Sequence, residues 1–261
     1  MKFYLGTHLP SWLAQVTQVS LFVSMRRIRG MKTWPRAVRS WALDSGGFSE
    51  LSMHGRWMTG PKQYAGEVER AMKDVGLMDF AAIQDWMCEP FILAKTGLTI
   101  EQHQERTIDS YLELSSLAPS VPWLPVIQGW QMTDYWRHVE RYRKRGVELL
   151  YAGVGSVCRR QGTAEAETIM KTLTSDGTRV HAFGFKKRGL ATCAPILASA
   201  DSMAWSYDAR RKPPLPGCTT HINCANCIKY ALKWAREMEA VIHANDPEGR
   251  SSEDDPSSSA A

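Results

Sequence analysis

The sequence predicts an α/β fold, a (β/α) barrel of the TIM type followed by a C-terminal cysteine-bearing segment. Three observations point there. Short β-like runs recur, each ending on small or polar residues. Amphipathic helical stretches lie between them. The strands are spaced by roughly 20 to 45 residues, the spacing at which parallel strands are joined by helical crossovers. A doubly wound open sheet is the structural alternative, but no G-x-G-x-x-G follows any strand.

The strand candidates are Phe3–Gly6, Trp41–Asp44, Phe80–Asp85, Leu124–Gln128, Leu149–Gly153, Val180–Phe185 and Ala200–Trp205. Helices are predicted over Pro61–Val75, with proline near the start, and over Thr99–Leu117, with Thr99 as N-cap. Thr133–Arg145 and Thr163–Leu173 follow the same pattern. Seven βα units in one chain of this size favour the barrel. KPPLPG at residues 212–217 ends the alternation, so the barrel is set at residues 1–211. Residues 212–245 form the cysteine-bearing segment and a C-terminal helix. Residues 246–261 read as a disordered acidic tail.

Composition narrows the function. The 261 residues are 44% hydrophobic and 23% charged, ordinary for a globular protein. The net charge is +5; the tail carries −4 of it, which leaves +9 on the body and suits a polyanionic partner. No apolar run approaches the ~20 residues that span a bilayer, and no signal-peptide pattern opens the chain. Six cysteines, three of them within ten residues, read as reduced, cytosolic and metal-binding.

Barrel enzymes carry their chemistry at the C-terminal ends of the strands. Those ends hold Gly6-Thr7-His8, Asp44-Ser45-Gly46-Gly47-Phe48, Gln84-Asp85-Trp86, Gln128-Gly129-Trp130, Gly153-Val154-Gly155-Ser156 and Asp201-Ser202. Three carboxylates at three strand ends suit glycosidic chemistry, in which one carboxylate meets the anomeric carbon and another moves protons. Glycine pairs let backbone N–H groups approach a ligand, and glutamine offers a donor and an acceptor to a nucleobase edge. Each feature alone has a plainer reading: an Asp after a strand is often a helix N-cap, and a glycine pair is often a turn.

The metal candidates are Cys218, Cys224 and Cys227, spaced C-x5-C-x2-C. A tetrahedral zinc site takes four N or S ligands, and four protein ligands make it structural. His221, inside the cluster, and His243, sixteen residues beyond Cys227, compete for the fourth place. Basic groups at Arg137–Arg145, Arg159-Arg160, Lys186–Arg188 and Arg210–Lys212 are candidates for phosphate contacts, the first more readily a solvated helix face. Trp86 and Trp130 are candidates for base stacking. His8 and Cys88 have structural readings: a lone histidine and a packed thiol.

The order DSGGF at Asp44–Phe48, then Asp85, Gln128-Gly129, Gly153–Gly155, Asp201 and a zinc-type cysteine cluster resembles the tRNA-guanine transglycosylase superfamily. WALDSGGFSEL, QDWMCEP and GVGSVCRR are similar to its compact phage and mobile-element branch, the deazapurine DNA modification proteins of the DpdA family. The chain departs from the usual pattern at Ser49, where glutamine is common, and in SMAWSYDARR after Asp201. The resemblance implies a zinc-bearing barrel that exchanges guanine in DNA for a 7-deazaguanine base such as preQ0, in the cytoplasm of a bacterial or phage-infected cell.

It implies Asp201 as nucleophile, with Asp208 as rival, and Asp44 as proton-transfer group. Asp85, Gln128, Gly129 and Gly153 match the base pocket, with Ser45, Gly46, Gly47 and Phe48 around them. It implies His243 as fourth zinc ligand. Superfamily members are often homodimers, though no residue here requires that. The alternatives are the same exchange on tRNA, a glycosidase that removes the base without replacing it, and a non-catalytic zinc-bearing nucleic-acid-binding module.

Overall fold

The computed structural model describes residues 1–245; the acidic tail lies outside the described residues. Nine parallel strand segments run β1 (Lys2–Thr7), β2 (Ser20–Ser24), β3 (Trp41–Asp44), β4 (Met78–Ala82), β5 (Trp123–Leu124), β6 (Val126–Ile127), β7 (Tyr151–Val154), β8 (Arg179–Ala182) and β9 (Ser199–Ser202). Their order in the sheet is β5-β4-β3-β2-β1-β9-β8-β7-β6. The two edge segments are consecutive in the chain, separated by Pro125. Proline lacks the N–H that would continue the ladder. The sheet therefore passes from β4 through β5 and β6 to β7 and nearly closes into a barrel, and the Pro125 carbonyl accepts the Gly153 N–H at 2.8 Å.

All seven predicted strands are present, the Leu124–Gln128 run is divided at Pro125 into β5 and β6, and β2 is the addition. Leu21-Phe22-Val23 is apolar, but Ser24 passes directly into a helix with no turn residue between, so the run carried no boundary signal. The predicted Ala200–Trp205 strand stops at Ser202, and Trp205 belongs to the following helix.

The helices are α1 (Met25–Arg29), α2 (Gly47–His54), α3 (Pro61–Asp74), α4 (Pro90–Thr96), α5 (Ile100–Leu117), α6 (Met132–Lys144), α7 (Ala164–Ser175), α8 (Lys187–Cys193), α9 (Ala204–Ala209) and α10 (Ile228–Ala244). Thr99 caps α5 in a capping box with Gln102, and Thr163 caps α7 through the Ala166 N–H. The main core lies between the strands and the helices. The barrel interior is a second, largely aromatic cluster of Tyr4, Phe22, Phe80 and Leu124, with Phe183 against it. α10 packs on α8, α9 and β1. No helix among the described residues is long and apolar enough to cross a membrane.

Candidate active site

The C-terminal ends of the strands open on a cavity of about 260 Å³, lined among others by Asp44, Asp85, Asp201, Gln128, Phe48 and Phe183. Parallel strands place all their C-terminal ends on one face, which is why carboxylates 41 and 116 residues apart in sequence meet there. Ser45 and Gly47 also line it. Gly46 stands at its edge with φ 85°, a conformation that excludes most side chains, and an added Cβ would meet the Arg26 chain at 2.8 Å. That turn delivers Ser45 to the cavity and starts α2.

Asp44, at the end of β3, has its carboxyl pushed up mainly by burial, and the Asp201 charge adds to the rise. Hydrogen bonds from Ser24 and the Gly46 N–H oppose it. Burial pushes the Asp85 carboxyl up to about 7, against the hydrogen bond from Gln128 and reinforced by the Asp44 charge. Asp201 is buried at the end of β9, where Oδ1 accepts the Gly184 N–H at 3.0 Å. His181 Nε2 lies 3.4 Å from the same oxygen and has no hydrogen-bond partner. Its Nδ1 is 2.7 Å from Ser199 Oγ, and its ring is wedged among Tyr4, Phe22, Phe80 and Phe183. The side chain beneath Asp201 is therefore held rigidly.

Gln128 is fully buried, and its main chain is pinned on both sides. Its N–H donates to His138 Nδ1 at 2.8 Å, and its carbonyl accepts from Gln104 at 2.8 Å. Burial pushes His138 down to about 3, which keeps that nitrogen an acceptor. The Gln128 side chain donates to Asp85.

Two expectations require correction, and the rival to Asp201 lies elsewhere. Gly129 and Gly153 do not line the cavity: Gly129 packs against Asp134 and Tyr135 of α6, and Gly153 against Phe183. Trp86 and Trp130 stay outside as well, each faced by an arginine, Arg106 at 4.5 Å and Arg160 at 4.4 Å. Asp208 lies apart from the other carboxylates, held by Lys212 and the Tyr230 hydroxyl, both at 2.7 Å. Sequence reading missed Glu89, Phe183 and His181, and gave Ser156 only as a strand-end residue with no partner. The strand-end position of Phe183 carried a signal; the others depend on contacts between distant segments.

The metal candidates converge at Cys218, His221, Cys224 and Cys227, whose ligand atoms all lie within 4.8 Å of one another. Cys218 Sγ and Cys227 Sγ are 3.9 Å apart, and His221 Nε2 is 3.3 Å from Cys224 Sγ. Tetrahedral zinc with bonds of about 2.3 Å to sulfur sets its sulfurs ~3.8 Å apart, so the set fits a zinc ion. The expected ligand His243 is not part of it. α10 begins at Ile228, and sixteen residues at about 1.5 Å each carry His243 some ~24 Å along the helix, to a place beside Met1 and Lys2. His221 takes the fourth place.

The knuckle is fastened to the rim of the cavity. Asn226 Oδ1 is 2.5 Å from His8 Nε2, and Ser206 donates to the Ala225 carbonyl at 2.9 Å. His8 stacks on Trp205, whose Nε1 donates to the Gly6 carbonyl. His8 is thus a structural link between β1 and the metal segment.

The sequence model of DpdA, deoxypurine in DNA protein A, matches residues 1–252. The chain belongs to the DpdA family. At the level of that family it is a transglycosylase-type enzyme of DNA deazapurine modification. No curated protein matches it.

Proposed function

We propose that this DpdA-family protein exchanges guanine in DNA for a 7-deazaguanine base of the preQ0 type, through a covalent bond to Asp201. Residues 1–211 serve as the catalytic barrel and residues 212–245 as its zinc-bearing brace. The observation that carries the reading is the meeting of Asp44, Asp85 and Asp201 in one base-sized cavity at the strand ends.

The Asp201 carboxylate attacks C1′ of the target nucleotide, and the C1′–N9 electron pair leaves with guanine. Asp44, whose burial favours holding a proton, protonates the departing base. The incoming base then gives its N9 proton to Asp44 and attacks C1′, and Asp201 is released. Two inversions give net retention. Asp85 accepts hydrogen bonds from the ring N–H and exocyclic amine of either base, and Phe48 and Phe183 offer apolar walls to it. A base inside a duplex cannot reach such a cavity, so the nucleotide must be flipped out. Arg159, exposed above Phe48 and Phe91, stands at the rim where backbone phosphates would pass.

The test is capture of the intermediate. The protein is incubated with duplex DNA, denatured, and run on a denaturing gel. A protein–DNA band that survives denaturation and maps to Asp201 is expected. A band mapping to another residue, or formed with tRNA and not with DNA, contradicts the proposal.

A further inference from the structure

Four aromatic side chains stand exposed among the described residues: Phe48, Phe91, Trp136 and Tyr207. Single exposed apolar side chains are ordinary, but a group of them around one opening is not. Three of the four border the mouth of the cavity. Phe48 lines it, and the Phe91 ring of α4 meets the Phe48 ring edge to face at 6.2 Å. Tyr207 lies one turn along α9 from Met203, which also lines the cavity. Phe91 follows β4 and Tyr207 follows β9, and the sheet order β4-β3-β2-β1-β9 sets those two strands about half-way round the barrel from one another. The mouth therefore carries one exposed ring on each side, Phe91 at 39% and Tyr207 at 57% exposure.

Each ring is backed by an arginine. The Arg159 guanidinium lies 4.5 Å from the Phe91 centroid and 5.5 Å from that of Phe48, and Arg211 lies 3.9 Å from Tyr207. Among the described residues neither arginine forms a salt bridge. Trp136 is the contrast: its neighbour Arg143 is paired with both Glu140 and Asp176. Aromatic rings with uncompensated cations beside them match a nucleic-acid strand in both of its parts. The rings can stack on bases, and the guanidiniums can meet phosphates.

A nucleotide that swings out of its stack leaves the faces of its two neighbours uncovered. A ring can cover such a face whatever the base, because every base has a π-face. We propose that Phe91 and Tyr207 are stacking posts, each packing on one of the two bases that flank the nucleotide held in the cavity. The proposal rests on the base-exchange reading of the cavity. Arg159 and Arg211 hold the two rings in place and supply the charge for the backbone that passes between them. Both posts are positioning residues: they touch the neighbours of the reacting nucleotide and leave its sugar and base to the carboxylates. The stacking expected of Trp86 and Trp130 thus falls to rings on α4 and α9, since both tryptophans are half-buried and stay outside the cavity.

The test is a binding series with the full chain and a short oligothymidine strand that carries one central guanine. Three further strands replace the 5′ neighbour of the guanine, its 3′ neighbour, or both, by an abasic nucleotide. That replacement keeps the phosphate and removes the ring, so it isolates stacking from charge. Wild type is expected to lose about 10-fold in affinity for each neighbour removed. F91A is expected to bind the intact strand about 10-fold more weakly and to be indifferent to the loss of one neighbour. Y207A is expected to show a similar loss and to be indifferent to the other neighbour. F91W and Y207F, which keep a ring, should bind as wild type does. A purely structural role would lower affinity for all four strands alike. Uniform losses across the four strands in either variant, no loss in either, or indifference of both to the same neighbour, overturns the proposal. If the neighbour pattern holds while the protein exchanges no guanine, the function fails and the posts stand. If guanine is exchanged and the pattern is absent, the posts fail and the function stands.

Discussion

Asp201→Asn is expected to abolish base exchange, lowering kcat on the order of 10⁴- to 10⁶-fold, the scale on which enzymes lose a covalent nucleophile or its essential partner. The asparagine keeps the shape of the side chain and can still accept the Gly184 N–H, so the fold and DNA binding should persist. Asp208→Asn is the control. Its carboxylate is committed to Lys212 and Tyr230 outside the cavity, and exchange should stay within about twofold, the scale of an ordinary surface substitution. Incorporation of labelled guanine into DNA measures both. Loss in D208N with retention in D201N would move the nucleophile and overturn the mechanism.

Removing the metal is the second large effect. Structural zinc binds with ~10–16 kcal/mol in small domains, and only part of that need be coupled to folding here for a clear change. At roughly 2–4 °C per kcal/mol, chelation or Cys224→Ser should lower Tm by about 10 °C or more. Exchange should fall with it. The knuckle holds His8 through Asn226 and α9 through Ser206, and those two elements flank the β1 and β9 ends that carry the Asp201 side of the cavity. Calorimetry with and without chelator checks this, alongside metal content. His221→Ala should lower metal content, whereas His243→Ala should leave it unchanged, since His243 sits at the far end of α10. An unshifted Tm after complete metal loss would remove the brace from the account.

What was legible in the sequence was whatever is written locally. Asp44, Asp85 and Asp201 were found because each closes an apolar run, and in a parallel sheet the ends of such runs share one face. The cysteine spacing located three of the four metal candidates for the same reason. The fourth was misplaced because the choice between His221 and His243 turns on where α10 begins, a boundary that spacing does not specify. β2 was missed because Leu21–Val23 enters a helix without punctuation. Gly129 and Gly153 looked like pocket residues because glycine suits close approach to a ligand. In the fold they admit close approach of Tyr135 and Phe183 instead. Glu89 had no local signal and Ser156 only its place at a strand end: they lie 67 residues apart and become partners only in the fold. The same holds for His181, an ordinary strand residue until β9 sets Asp201 3.4 Å away.

The central claim, base exchange in DNA, is tested most directly by nucleoside mass spectrometry. The protein is expressed in cells supplied with preQ0, and DNA and tRNA are digested separately. The account predicts a 7-deazaguanine deoxynucleoside in the DNA, absent from cells that express D201N. The modified nucleoside in tRNA with unmodified DNA, or its presence in DNA from cells expressing D201N, would contradict it.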